Sequence, residues 1–96
     1  MKKNEKVLAE EIKGLCDESI EHNQKELDAI LDNYQGSERE KIFLKGLSDI
    51  LNIDKAVKEK IESYTFHDNE EDEKLLNVIQ DLLEEKIMLV LKLTNL

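Results

Sequence analysis

Proline and tryptophan are missing from this chain, which has only three glycines, two tyrosines, two phenylalanines, one arginine and one cysteine. Without proline it lacks the residue that ends or kinks helices most sharply. With few glycines it has few places where the backbone turns left-handed at no cost. The lone cysteine, Cys16, excludes an intrachain disulfide and a cysteine-based metal cage, and it fits a reducing, cytoplasmic setting. Long hydrophobic runs are missing too. The start, MKKNEKVLAEEIKG, has basic residues but not the apolar stretch of about 7 to 15 residues that a signal peptide carries behind them. The most apolar segment, from Ile87 to Leu93, is far short of the roughly 20 residues that span a bilayer.

Helix formers and charge fill the space. Charged residues make up 39% of the chain, and the surplus of Leu, Ile, Glu, Lys and Asp reads as an all-α fold. Ninety-six residues make one domain, 1–96, which buries about 60 to 65% of its unfolded surface if its apolar side chains share one core. The formal charge of −9 repels a polyanion. That charge is uneven: residues 1–36 carry 5 basic and 9 acidic groups, residues 37–64 carry 6 and 6, and residues 65–96 carry 3 and 8.

From Lys3 to Tyr34 apolar residues recur at Leu8, Ile12, Leu15, Ile20, Leu27, Ile30, Leu31 and Tyr34, with a polar gap from Glu21 to Glu26. The spacing predicts one long helix kinked near His22, or two helices with Asn23 as the second cap. Gly36 supplies a helix-ending left-handed residue. Ser37 and Glu40 form a capping-box pattern, opening a helix whose buried face holds Ile42, Phe43, Leu47, Ile50 and Leu51. If that helix continued past Asn52 it would put Asp54 on its apolar face, which favours a break there with Asp54 as a new cap. Residues 65–69 read as a loop, and Glu70, Glu71, Asp72 and Glu73 as a solvated, dipole-stabilised first turn of a last helix running to Thr94, with Lys86 and Lys92 at its opposite pole. The expectation is a compact bundle of four to five helices with antiparallel neighbours.

No stretch carries a specific catalytic motif. DNEEDE, residues 68–73, lacks the turn glycine of a calcium-binding EF-hand loop. Cys16, His22 and His67 show no ligand or nucleophile–base spacing, and Cys16 and His22 fall on different helix faces. Acidic neighbours such as Glu10 and Glu11 are too common in a chain with 23 carboxylates to mark a general acid. The reading is therefore a protein that is not an enzyme and needs no metal or other cofactor.

Two local resemblances stand out. LSDILNIDKAVKEKI, residues 47–61, resembles a helix-turn-helix DNA-binding unit, with Leu47, Leu51, Ile53 and Ile61 at apolar positions, Ser48 at the small one and Asn52 at the turn. Lys58 departs from the pattern by standing where that unit buries Val or Ile. The resemblance implies a DNA-binding regulator contacting DNA through Lys55, Lys58 and Lys60. QKELDAILDNY, residues 24–34, resembles the Ser-Gln-Glu-Leu-Asp signature of small two-helix sporulation phosphatases. Glu26, Leu27 and Asp28 match it and Gln24 replaces the Ser. In layout the chain is also similar to small bacterial helical proteins such as bacteriocin immunity proteins and flagellar export chaperones.

The C-terminal segment decides the main expectation. Leu76, Ile79, Leu83, Val90 and Leu93 form a core stripe broadened by Leu75, Leu82 and Ile87, while Met88, Leu89 and Leu91 fall outside it. A helix apolar almost all round is central, covered by something else, or not a helix at all. Met88, Leu89 and Leu91 are thus candidate interface residues, and the protein is expected to be an acidic module that binds another protein or a second copy of itself, as a regulator, inhibitor, chaperone or immunity-type factor.

Overall fold

The computed structural model describes residues 4–96; Lys3, where the first helix was expected to begin, lies outside them. Among the described residues three α-helices make the fold: α1 (Glu5–Asp32), α2 (Glu38–Glu62) and α3 (Glu70–Thr94). The all-α class stands, and α1 is the single long helix rather than the alternative pair, but the count among the described residues is three rather than four or five because the break expected at Asn52 does not occur.

In α1 the polar gap is stitched rather than broken. Glu21 pairs with Lys25 at 3.2 Å, His22 with Glu26 at 3.2 Å, and the Gln24 amide donates to Asp28 at 3.0 Å. Each is an i,i+4 pair, the spacing that brings side chains together on one helix face. Asn23 caps nothing; its amide donates to Ser19 one turn back at 3.0 Å. In α2 the turn expected at Asn52 is absent, and Asp54 is a fully buried mid-helix residue. Its carboxylate is tolerated there because Lys86 of α3 meets it at 2.8 Å. Lys86 therefore acts as a half-buried counter-charge rather than a solvated group at the helix pole.

The helix ends follow local chemistry. Asn4 accepts the Lys6 N–H at 2.7 Å at the start of α1. Gly36 sits at φ 75° before α2, where a side chain would be strained. The Ser37 hydroxyl accepts the Glu40 N–H at 3.1 Å, and the Glu40 carboxylate accepts the Ser37 N–H at 2.9 Å, completing the capping box. Asn69 opens α3 by accepting the Glu71 N–H at 2.9 Å.

The first turn of α3 is not uniformly solvated, because Asp72 is 2% exposed. It accepts the Tyr64 hydroxyl at 2.7 Å and the backbone N–H groups of His67 and Asp68 at 3.0 and 2.7 Å. It thereby fixes the corner between α2 and α3, where the Tyr64 and Phe66 rings meet edge to face. Burial pushes the Asp72 carboxyl up, but these donors more than offset it and hold it below the ordinary value. The Tyr64 hydroxyl, which donates to that carboxylate and is partly desolvated, is pushed up to about 12.

Short loops make successive helices antiparallel, so α1 and α3 run parallel. α1 lies along α2 for much of its length, α3 lies against α2, and α1 meets α3 least. The result is an elongated bundle of 51 × 22 × 21 Å. Its dry core sits toward the α2–α3 corner, where Ala9, Cys16, Ile53, Val57, Ile61 and Ile79 cluster with Ile12, Leu75 and Leu76 packed on them. Gly46 lets α3 approach α2 closely further along, since a Cβ there would stand 2.6 Å from a Leu93 methyl.

A carboxyl held below its usual value contributes stability that is complete above the unfolded-chain value and lost as pH falls through the lower folded one. Urea midpoints measured between about pH 2 and 6 should therefore drop more steeply with acid in the wild type than in Asp72→Asn. Parallel acid limbs would show that Asp72 does not brace the corner.

Candidate functional site

One polar joint crosses all three helices. Lys86 of α3 donates to Asp54 of α2 at 2.8 Å and to the Ser19 hydroxyl of α1 at 2.9 Å, and Ser19 donates to the second Asp54 oxygen at 2.5 Å. Asn23 adds its bond to Ser19. A hydroxyl has one proton to give and two lone pairs to accept with, and Ser19 uses all three. As a nucleophile it would have both lone pairs occupied, beside a lysine already committed to a carboxylate. This arrangement sets the register of the three helices and does not resemble a poised Ser–Lys pair. Among the described residues no buried side-chain nitrogen or oxygen is left without a hydrogen bond.

Cys16 lies on the same inward face of α1, 2% exposed. Burial, and secondarily the Asp54 carboxylate, push its thiol up to about 11, so at neutral pH it is a protonated core side chain. The two histidines are elsewhere. His22 is exposed and paired with Glu26, and His67 sits in the α2–α3 loop with its ring 6.2 Å from that of Tyr64. Among the described residues no three His, Cys, Asp or Glu side chains could together hold a metal ion.

Beside the polar joint the bundle opens into a groove of about 480 Å³ between α1 and α3, with α2 as its floor. The α1 wall is polar, formed by Ser19, His22, Asn23 and Glu26; the α3 wall carries Val90 and Leu93, and the floor Phe43, Leu47 and Ile50. The cause lies in the sequence of α1. Its polar gap falls opposite the most apolar part of α3 and gives that part no apolar cover. Ile87, Met88, Val90 and Leu91 consequently remain 57, 67, 42 and 51% exposed.

The three tail residues singled out from sequence do not form one patch, because consecutive helical residues point about 100° apart. Leu89 is half-buried against the core and lines a second, narrower groove of about 290 Å³ with Ile42, Gly46 and Leu93, rimmed by Lys41, Lys45 and Lys92. Met88 and Leu91 are 67 and 51% exposed and line neither of these two grooves. Val90, expected to be core, is exposed, and sequence reasoning missed it together with Ile87. The signal was the polar gap in the parallel helix, which only matters once the two helices are known to be neighbours.

Lys55 and Lys60 are exposed on α2, while Lys58 is half-buried and pairs with Asp17 of α1 at 2.6 Å. The one departure from the helix-turn-helix pattern is thus a contact between α1 and α2. In the phosphatase-like stretch, Leu27 is half-buried, and Glu26 and Asp28 are engaged within α1. No family model, no curated protein and no solved structure matches the chain.

Removing Lys86 strands a carboxylate that is fully buried, which should cost about 3–5 kcal/mol, whereas replacing both charges with apolar groups of similar size is often close to neutral. Chemical denaturation should therefore show Lys86→Ala strongly destabilised and the double variant Asp54→Leu, Lys86→Met recovering most of the loss. A double variant no better than the single one would overturn the structural role of the joint.

Proposed function

We propose that this protein is a binding module, acting as a regulator, inhibitor or chaperone by holding another protein against the C-terminal half of α3. The observation that supports this most is the run Ile87, Met88, Val90 and Leu91, four large apolar side chains all exposed within five residues of α3. Scattered apolar residues on a surface need no explanation, but a concentrated group is a common mark of an interaction site. Complete burial of such side chains is worth about 1.5–3 kcal/mol each. That gain acts against the cost of immobilising a partner, so a few well-packed side chains can decide whether a complex forms.

A binding role also agrees with the chemistry inside the bundle. The polar joint is saturated, the thiol is buried and protonated, and the histidines stand apart, so the surface is where the protein has something to offer. Met88 adds an adaptable, polarisable side chain of the kind found on surfaces that accommodate more than one shape.

Leu91 is half exposed, so Leu91→Asp is expected to leave the melting temperature nearly unchanged. Native mass spectrometry of the protein recovered from its own cells should show a complex that Leu91→Asp abolishes while circular dichroism stays the same. A complex that survives the substitution, or none in the wild type, would remove the tail from the binding role.

A further inference from the structure

We infer that the groove between α2 and α3 binds a small, single-chain anionic amphiphile, a medium-chain aliphatic carboxylate, with its chain on the apolar floor and its head held by Lys41, Lys45 and Lys92. The site is separate from the exposed run of α3 that carries the binding role proposed above, and it stands or falls independently of that role.

The shape comes first. Ile42 and Gly46 of α2 and Leu89 and Leu93 of α3 make the floor of the groove, whose volume is about 290 Å³. That is at the small end of the roughly 300–1,000 Å³ common for small-molecule sites. Gly46 closes the floor, because Leu93 packs where a side chain at that position would stand. Along α2 the lining runs from Lys41 to Asp49, a helical rise of about 12 Å. An extended medium-length chain with its head group suits that length. A partner helix does not, since its diameter of about 10–12 Å with side chains demands a much wider trough. Ile42 is 41% exposed and Leu89 only half-buried, so a chain laid across them removes apolar surface from water.

Charge selects the head. In a chain with 23 acidic against 14 basic residues, three lysines and a single carboxylate, Asp49, line this groove. Lys92 makes no ion pair among the described residues, whereas the other lysines of α3, Lys74 and Lys86, pair with Glu71 and Asp54. Lys41 and Lys45 pair with Glu38 at 3.4 Å and Asp49 at 3.3 Å. Both are exposed pairs within one helix, which contribute little, so their ammonium groups turn to a ligand at small cost. The lysines are also placed asymmetrically. Antiparallel α2 and α3 meet at Gly46 and Leu93, which puts Lys41 and Ile42 at one end of the groove and Asp49 and Leu89 at the other. A carboxylate among the lysines therefore avoids Asp49 while its chain runs toward Leu89. Repulsion by the net charge of −9 grows with the charge of the ligand, which favours a monoanion over an acidic peptide or an anionic membrane surface.

The test is titration calorimetry of the full-length protein with decanoate below its micelle-forming concentration, with butyrate and decyltrimethylammonium as probes of chain and charge. Decanoate should bind one to one, and each of the other two about tenfold more weakly or less. Ile42→Asp, which sets a carboxylate on the floor, should weaken decanoate binding about tenfold. Lys92→Gln should also weaken it, Lys92→Arg should restore it, and Lys74→Gln, the same loss of charge near the start of α3, should leave it unchanged. Circular dichroism checks folding, and the exposed Lys92 carries the test if Ile42→Asp loses helicity. Absence of decanoate binding, equal binding of the cationic amphiphile, or unchanged affinity in either folded groove variant overturns the inference. Equal weakening by Lys74→Gln and Lys92→Gln overturns it too, as general charge attraction, and so does an acidic leucine-bearing peptide that binds the groove where decanoate does not.

Discussion

Asp54 is a carboxylate with no access to water in the middle of a helix, and the rest of the bundle is arranged around that fact. A buried charge is tolerated only when it is paired and its remaining lone pairs are satisfied. Lys86 and Ser19 do both, from two other helices. Because each helix contributes one member, sliding or rotating any of them by a residue would break the joint. Hydrophobic packing tolerates such shifts far better, since apolar contacts are non-directional. The joint thus selects one register for three long helices whose apolar stripes alone would allow several.

The joint also divides the bundle into two unlike halves. Toward the α2–α3 corner, Ala9, Val57, Ile61 and Ile79 are at most 4% exposed, and Asp72 closes the end by gathering the Tyr64 hydroxyl and two loop N–H groups. Beyond the joint α1 turns polar while α3 turns more apolar, and the two no longer match. α2 continues to cover one flank of α3, and Gly46 lets Leu93 come in close. Lysines at Lys13 and Lys58 tie α1 to α2 through Glu62 and Asp17, so the first pair of helices is held by charge as well as by packing. Among the described residues, Lys86 is the cation by which α3 joins this cross-helix pairing.

Much of this was legible locally. The capping box at Ser37 and Glu40 and the start of α3 after Asn69 are signals written within a few residues, and each appears where its chemistry predicts; Gly36 is left-handed as expected, but it does not end α1, which is already closed by Asn33. The errors came from rules that are also local. A carboxylate on an apolar face reads as a break, and a lysine near a helix end reads as a dipole partner, but Asp54 and Lys86 are 32 residues apart and each removes the other's anomaly. The usable signal was the coincidence: Asp54 lies on the stripe of Leu47, Ile50, Val57 and Ile61, and Lys86 lies seven residues from both Ile79 and Leu93. Opposite charges, each on a core stripe of a different helix, point to one buried pair. Asp72 was readable in the same way, since it precedes Leu76 by four residues and Ile79 by seven, which sets it apart from Glu70, Glu71 and Glu73.

The open side of the bundle follows from residue choice rather than from length or topology. Three helices of this size can close on themselves when each presents an apolar stripe to both neighbours. α3 meets that requirement beyond the joint, with Val90 and Ile87 turned away from α2. α1 does not, because His22, Asn23 and Glu26 occupy the positions facing it, and all three are engaged in bonds along α1 itself. Apolar side chains there would have sealed the seam and hidden the C-terminal run. The polar gap and the apolar tail are therefore two parts of one feature: the first keeps the second uncovered, and the joint between them keeps both in place.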